Sequence, residues 1–176
     1  NYATTLWTTG GDGTFDDASL LNATYTPGNN DIVTGTVVLT LTVNGNSPCP
    51  AITDDMSIDI QLLPLADAGL DDTICENATY ILNGIAANQA STLWTTAGDG
   101  TFDNANILGA EYTPGSNDIT NGFVYLILES TATLPCASSA IDTMKLDIQL
   151  LPLANAGSDA TICENETYTL NGIALN

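Results

Sequence analysis

Residues 6–16 read LWTTGGDGTFD, and residues 93–103 repeat them as LWTTAGDGTFD. The two copies are 87 residues apart, and a one-residue insertion further along raises the offset to 88, as between Cys75 and Cys163. A period of this length repeats a whole small domain, because the repeats of solenoid proteins take only about 20 to 45 residues. The sequence therefore predicts a tandem array of similar domains.

The repeats also divide the chain. Residues 66–152 cover one complete unit. Residues 1–65 match only the later part of a unit, without its first two strands, and residues 153–176 match only the first two strands of the next. Each partial unit lacks strands that it needs to close its core, which leaves sheet edges open to pairing. Two explanations fit: a segment of a much longer protein, or a protomer that completes its neighbour by exchanging strands.

Apolar residues alternate with polar ones throughout the chain, as in 37–43 and again in 144–150. A period of two predicts β-strands, and no stretch has the capped apolar spacing of a substantial helix. About seven short strands in each unit, with a central tryptophan, are typical of an immunoglobulin-like β-sandwich. The predicted fold class is all-β, with tandem sandwiches in an elongated array. In the complete unit we expect strand A near 66–74, B near 79–84, C near 91–96, D and E within 101–114, F near 122–129 and G near 142–150.

The charge balance excludes several functions. The formal charge is −20, from 21 acidic residues and a single basic one, Lys145, with no histidine and no arginine. General-base catalysis by imidazole and phosphate binding by guanidinium are therefore excluded, and we expect no enzymatic activity. Nucleic acid and anionic lipid bind through lysine and arginine, so neither is an expected partner. No apolar run is long enough to cross a membrane.

Four cysteines without histidine do not favour a zinc site, so disulfides in an oxidising compartment are the better interpretation. Cys75 and Cys136 are the only pair within the complete unit. We expect them at opposite ends of the sandwich, some 30 Å apart, which is too far for a direct bond. The alternative is that Cys49, Cys75, Cys136 and Cys163 bridge consecutive units. The connectivity stays open between these two pairings.

Six aspartates recur in the same places of both copies and are candidate calcium ligands, because calcium prefers oxygen. The alternative is that they cap turns and form a solvated acidic face. The candidates are Asp12, Asp16, Asp31, Asp99, Asp103 and Asp118. No other cofactor is expected. Trp7 and Trp94 are predicted core residues, with a carbohydrate-stacking platform as the alternative.

The amino-acid sequence of the repeat unit resembles that of a known family. The matching stretches are residues 68–77, 80–84, 93–103 and 112–115. They are similar to the PKD-like, immunoglobulin-like repeats of giant cell-surface adhesins from Bacteroidota, of the gliding-motility type, which the type IX system exports. The resemblance implies O-glycosylation at Thr73 and Thr143, each of which lies in an Asp-Thr-hydrophobic triplet.

We therefore expect a structural repeat segment of a long extracellular adhesin fibre on a bacterial surface. It would act as a stiff spacer that presents an adhesive region for attachment or gliding. Its expected partners are neighbouring repeats of the same chain or filament, with any surface or glycan ligand elsewhere in the protein. The alternatives are a module that binds glycan or calcium, and a filament subunit that polymerises by strand exchange.

Overall fold

The computed structural model describes residues 2–176. The chain divides into two compact units, residues 1–63 with 133–137, and residues 64–132 with 138–176. The predicted domain limits at 65/66 and 152/153 stay predictions.

The first unit contains five strands and one short helix. A central sheet has the order β1-β4-β5, and a two-stranded sheet pairs β2 with β3. Both pairings in the central sheet are antiparallel. The elements are β1 (Tyr2–Thr9), β2 (Thr14–Phe15), β3 (Tyr25–Thr26), α1 (Asn29–Thr34), β4 (Thr36–Gly45) and β5 (Ile52–Asp59).

The second unit repeats this arrangement and adds the strands that the first unit lacks. Up to Gln149, its elements are β6 (Leu65–Asp67), β7 (Asp72–Cys75), β8 (Tyr80–Ile81), β9 (Ile85–Ala87), β10 (Gln89–Thr96), β11 (Thr101–Phe102), β12 (Glu111–Thr113), α2 (Ser116–Asn121), β13 (Phe123–Ala132) and β14 (Ser139–Gln149). One sheet has the order β10-β13-β14-β7, the other β11-β12-β8, and β6 pairs with β9. The prediction of an all-β sandwich is confirmed.

The core of the second unit lies between these sheets. The alternating apolar side chains of β10, β13 and β14 point into it, since successive residues of a strand face opposite sides. Tyr112 and Leu82 close it from the other sheet, and both are fully buried. The buried cluster comprises Ala68, Leu82, Trp94, Ala110, Tyr112, Val124, Leu126, Leu128, Met144, Leu146 and Ile148.

Two helices of six residues each are the only α-helices in residues 2–176, and neither is long and apolar enough to cross a membrane. The absence of a substantial helix was predicted, but these two single turns were not. Each ends at a glycine in the left-handed conformation, Gly35 (φ 77°) and Gly122 (φ 78°), where a side chain would be strained.

The last residues of the chain form a separate hairpin. Strands β15 (Leu153–Asn155) and β16 (Ile173–Leu175) pair only with each other within the described residues. Every residue from 153 to 176 is exposed to solvent. The apolar side chains of this segment therefore have no core of their own.

Candidate functional site

A buried carboxylate organises the corner between β12 and β13. Asp118 lies at the third position of α2 and is almost fully buried. It accepts hydrogen bonds from the Tyr112 hydroxyl at 2.6 Å, from the backbone N–H of Gly115 at 2.9 Å, of Gly100 at 3.1 Å and of Asp99 at 3.2 Å. Buried charge is tolerated only when it is well hydrogen-bonded, and four donors meet that requirement.

A second carboxylate caps the start of the same helix. Asp99 accepts from the N–H groups of Asn117 at 3.1 Å and Asp118 at 3.2 Å, and from the Ser116 hydroxyl at 3.3 Å. The Asn117 N–H is the main reason that the pKa of Asp99 is lowered from its ordinary value. An anion at a helix N-terminus pairs with N–H groups that lack a partner within the helix. The two aspartates thus lock the turn 98–100 onto α2.

The first unit builds the same corner from Asp31, Asp12 and Tyr25. Asp31 accepts from the Tyr25 hydroxyl at 2.6 Å and from the Gly28 N–H at 2.9 Å. The Tyr25 hydroxyl is the largest cause of a lowered Asp31 pKa, followed by the Gly28 N–H. Because both copies reproduce this arrangement, the corner belongs to the repeat unit itself.

The Gly-Asp-Gly sequence of the repeat follows from this corner. A Cβ atom added at Gly98 would overlap the Asp118 carboxylate, and one added at Gly100 would overlap the Tyr112 hydroxyl. Neither neighbour can withdraw without breaking the hydrogen bonds of the corner. Gly11 and Gly13 meet the equivalent groups in the first unit. Both positions therefore require glycine for close approach.

Asp16 and Asp103 occupy separate, exposed turns. Asp103 accepts from the N–H groups of Asn104 at 2.6 Å and Glu111 at 2.7 Å. Asp16 accepts from Asp17 and Thr24, both at 2.7 Å, and these N–H donors lower its pKa, with Thr24 first. The structure thus brings Asp12 to Asp31 and Asp99 to Asp118. Asp16 and Asp103 lie apart from these pairs.

The geometry of the aspartates is that of turn capping. Residues 2–176 contain no group of three or more His, Cys, Asp or Glu side chains placed to hold a metal ion. The lone pairs of Asp31 and Asp118 are already directed at N–H and O–H donors. Calcium binding at the six aspartates stays a prediction.

The tyrosine partners of this corner were not predicted. Burial, and next the Asp118 carboxylate, raise the pKa of Tyr112, so its hydroxyl stays protonated and donates at any physiological pH. The available signal was the Tyr-Thr-Pro-Gly sequence at 25–28 and 112–115, which precedes the helix in both copies. The cluster holds a chain corner in place and presents no free nucleophile or base.

The cysteines lie where strand order predicted. Cys75 ends β7 beside Gln149, whereas Cys136 lies in the hairpin before Ser139. The intervening length of β14 is about 33 Å at 3.3 Å per residue, too far for a disulfide between Cys75 and Cys136. None of the four cysteines is paired within residues 2–176; Cys49, Cys75 and Cys163 are exposed and Cys136 partly so. Disulfides between consecutive units stay a prediction.

The remaining predicted residues fall into two groups. Thr73 and Thr143 are exposed strand residues, so both are accessible to modification. Trp94 is fully buried, with its ring N–H donating to the Leu108 carbonyl at 3.3 Å, which confirms it as a core residue. Trp7 is only partly buried, and its buried ring nitrogen has no hydrogen-bond partner in the described structure.

No protein-family model and no curated protein matches the chain. It is similar to solved structures of consecutive cadherin domains, and it spans about half or less of the length of the three described next. Mouse cadherin-23 EC22-24 aligns at 13% identity and TM-score 0.49, over 85% of this chain and 54% of that one. Drosophila N-cadherin EC1-4 aligns at 13% identity and TM-score 0.48, over 82% of this chain and 41% of that one. Extracellular cadherin domains 3-6 of protocadherin gamma B2 align at 10% identity and TM-score 0.42, over 88% of this chain and 44% of that one. Likenesses this low assign no family, and the fold assignment rests on the strand topology.

The Asp118→Asn substitution tests the corner in the second unit. The amide would turn an NH₂ donor toward a site that offers mainly donors, so at least one buried group loses its partner. We expect a loss of about 2–4 kcal/mol in the free energy of unfolding. The matched control is Asp147→Asn, which removes a surface ion pair with Lys145 and should cost less than about 1 kcal/mol. Chemical denaturation measures both, and equal losses would contradict a structural role for Asp118.

The Tyr25→Phe substitution tests the electrostatics of the first unit. Because the folded-state pKa of Asp31 is lowered, its contribution to stability is present above the unfolded pKa and is lost as pH falls through the folded one. Removing the hydroxyl should raise the pKa of Asp31 toward 3.8, so that the variant is less stable at neutral pH and loses less stability as the pH falls. An NMR titration of the Asp31 carboxyl carbon measures this, with Tyr112→Phe as the control that leaves it unchanged. An unaltered Asp31 titration in Tyr25→Phe would show that the hydroxyl is not the main cause.

Proposed function

We propose that this chain is a structural repeat segment of a long extracellular adhesin fibre, of the kind found on Bacteroidota cell surfaces. Its sandwiches would act as spacers that hold an adhesive region away from the cell, for attachment or gliding. The observation that carries the proposal is the repetition of one unit, with the same corner, sheet order and strand register in both copies. A fibre needs such identical modules, whereas a binding site needs to be built only once.

The connections between strands support a stiff spacer. Only residues 150–152 separate β14 from β15, and residues 60–64 separate β5 from β6. Each connection contains a proline, Pro64 or Pro152, which restricts the backbone. Short restricted connectors leave little slack between successive modules.

The charge supports a surface location. A formal charge of −20 with one basic residue gives an acidic surface that repels neighbouring fibres and keeps them in solution. Secretion, O-glycosylation at Thr73 and Thr143, and disulfides between units belong to the same proposal. Enzymatic activity does not, because the most buried charged cluster is engaged in holding a turn.

Polymerisation by strand exchange is the second candidate, because β3 and β5 each have an edge without a partner strand within residues 2–176. A glycan- or calcium-binding module has less support. Trp94 is buried in the core, and the aspartate oxygens face donors of their own chain.

Deleting residues 65–152 from the native protein tests the spacer role. Each unit should contribute about 35–45 Å, the length of its longest strands, so the fibre should shorten by that amount. Negative-stain electron microscopy measures the length, and a cell-attachment assay should show unchanged binding. The Asp147→Asn variant, which keeps the unit, is the control for length. Unchanged fibre length, or loss of attachment with normal export, would contradict the proposal.

A further inference from the structure

The outer face of the four-stranded sheet in the second unit carries an exposed aromatic pair. Phe123 is 39% exposed and Tyr125 is 45% exposed, and their ring centroids lie 5.6 Å apart with the ring planes at 75°. Both side chains point away from the core, because they alternate along β13 with the buried Val124 and Leu126. Core packing therefore does not account for the two rings, and aromatic side chains exposed together are typical of binding surfaces.

The first unit shows that the strand pairing does not require these rings. Thr36 and Val38 occupy the equivalent places on β4. Val38 pairs with Ser57 on β5 in the same register in which Tyr125 pairs with Lys145 on β14. The repeat thus keeps the backbone of this face in both copies and changes only the side chains that it presents to solvent.

The aromatic pair forms one wall of a cleft beside the Asp118 corner. The cleft has a volume of about 120 Å³, and its other walls are the turn at residues 97–98 and the end of α2 at Asn121. The Asn121 side-chain amide and the Tyr125 hydroxyl make no hydrogen bond to other groups of residues 2–176. The first unit has a cleft at the equivalent place, about 310 Å³ in volume, without an aromatic wall. The second unit therefore combines two ring surfaces with polar groups that are free to bind a ligand.

Charge limits what this surface binds. Lys145, the only basic residue of the chain, places its ammonium 5.0 Å from the Phe123 ring centroid and 2.6 Å from the Asp147 carboxylate. The ammonium is already paired and the rest of the chain is acidic, which disfavours an anionic ligand. A cationic ligand would have to displace Lys145 from the ring face. A neutral ligand with an apolar face and hydroxyl groups meets neither obstacle.

We propose that this cleft is a subsite for one sugar ring of a neutral polysaccharide. The C–H face of the sugar packs on Phe123 and Tyr125, and its hydroxyl groups bond the Asn121 amide and the Tyr125 hydroxyl. A cleft of this size does not enclose a sugar, so binding is weak, with a dissociation constant on the order of 1 mM. A contact this weak does not by itself attach a cell, so the site is independent of the spacer role. Neither tryptophan takes part in it.

An NMR titration of the full 176-residue chain tests the proposal. The probes are neutral tetrasaccharides of glucose, mannose, galactose or N-acetylglucosamine. We expect at least one of them to shift the ring protons of Phe123 and Tyr125 and the side-chain amide of Asn121. Saturation of the ring protons should transfer to the C–H protons of that sugar. Tetragalacturonate, which is anionic, should bind at least about tenfold more weakly than the best neutral probe, because the protein repels it.

Two variants give the second unit the side chains of the first, which are compatible with the same strand pairing. Phe123→Thr and Tyr125→Val should each weaken sugar binding by at least about fivefold, because each removes a ring that the sugar contacts. The matched control is Ile141→Thr, which also introduces the residue of the first unit, Thr53. Ile141 is 63% exposed on the same face but does not line the cleft, so binding should stay within about twofold.

Three results would overturn the proposal. The first is that no neutral tetrasaccharide shifts the ring protons of the unsubstituted chain. The second is equal weakening of binding by Ile141→Thr and by the two ring substitutions. The third is a shift of the ring protons with protein concentration alone, without any response to sugar, because the rings would then contact a second copy of the chain.

Discussion

The fold depends on covering one apolar sheet face, and the two units show the covered and uncovered states of the same sequence pattern. Strands β10, β13 and β14 present Trp94 and the alternating apolar residues around it, and the opposite sheet excludes water from them. Burial of apolar surface is the main favourable term in folding, so the cover contributes stability to the whole unit. Met56 and Met144 have the same neighbours on their own sheets, yet only the second is buried.

The Asp–Tyr corner sets where this sheet begins. In the second unit it joins the turn 98–100, the end of β12 and the start of α2 through one buried carboxylate. Since α2 leads directly into β13, the corner fixes the point at which the chain enters the central sheet. Burial of apolar surface drives the two sheets together, and these directional hydrogen bonds select one path of the chain from β12 through α2 to β13. The glycines of the repeat are required because the corner leaves no room for side chains.

Much of this architecture could be predicted from sequence, and the parts that could not are long-range. Period-two alternation revealed β10, β13 and β14, since their two faces differ in burial. The six-residue helix Ser116–Asn121 has no apolar period and depends on the Asp99 carboxylate, which lies 17 residues earlier. The role of Tyr112 could not be predicted for the same reason, because its hydroxyl meets the Asp118 carboxylate only after the turn has folded. The separation of Cys75 from Cys136, by contrast, followed from strand order alone.

Amide hydrogen exchange tests the dependence on the covering strands most directly. Leu126 and Leu128 of β13 and their counterparts Leu39 and Leu41 of β4 make the same backbone pairings, so any difference between them reports the missing strands. The account predicts that the β4 amides exchange at least about 100-fold faster, because their unit opens without losing a closed core. Equal protection of the two strands would contradict it.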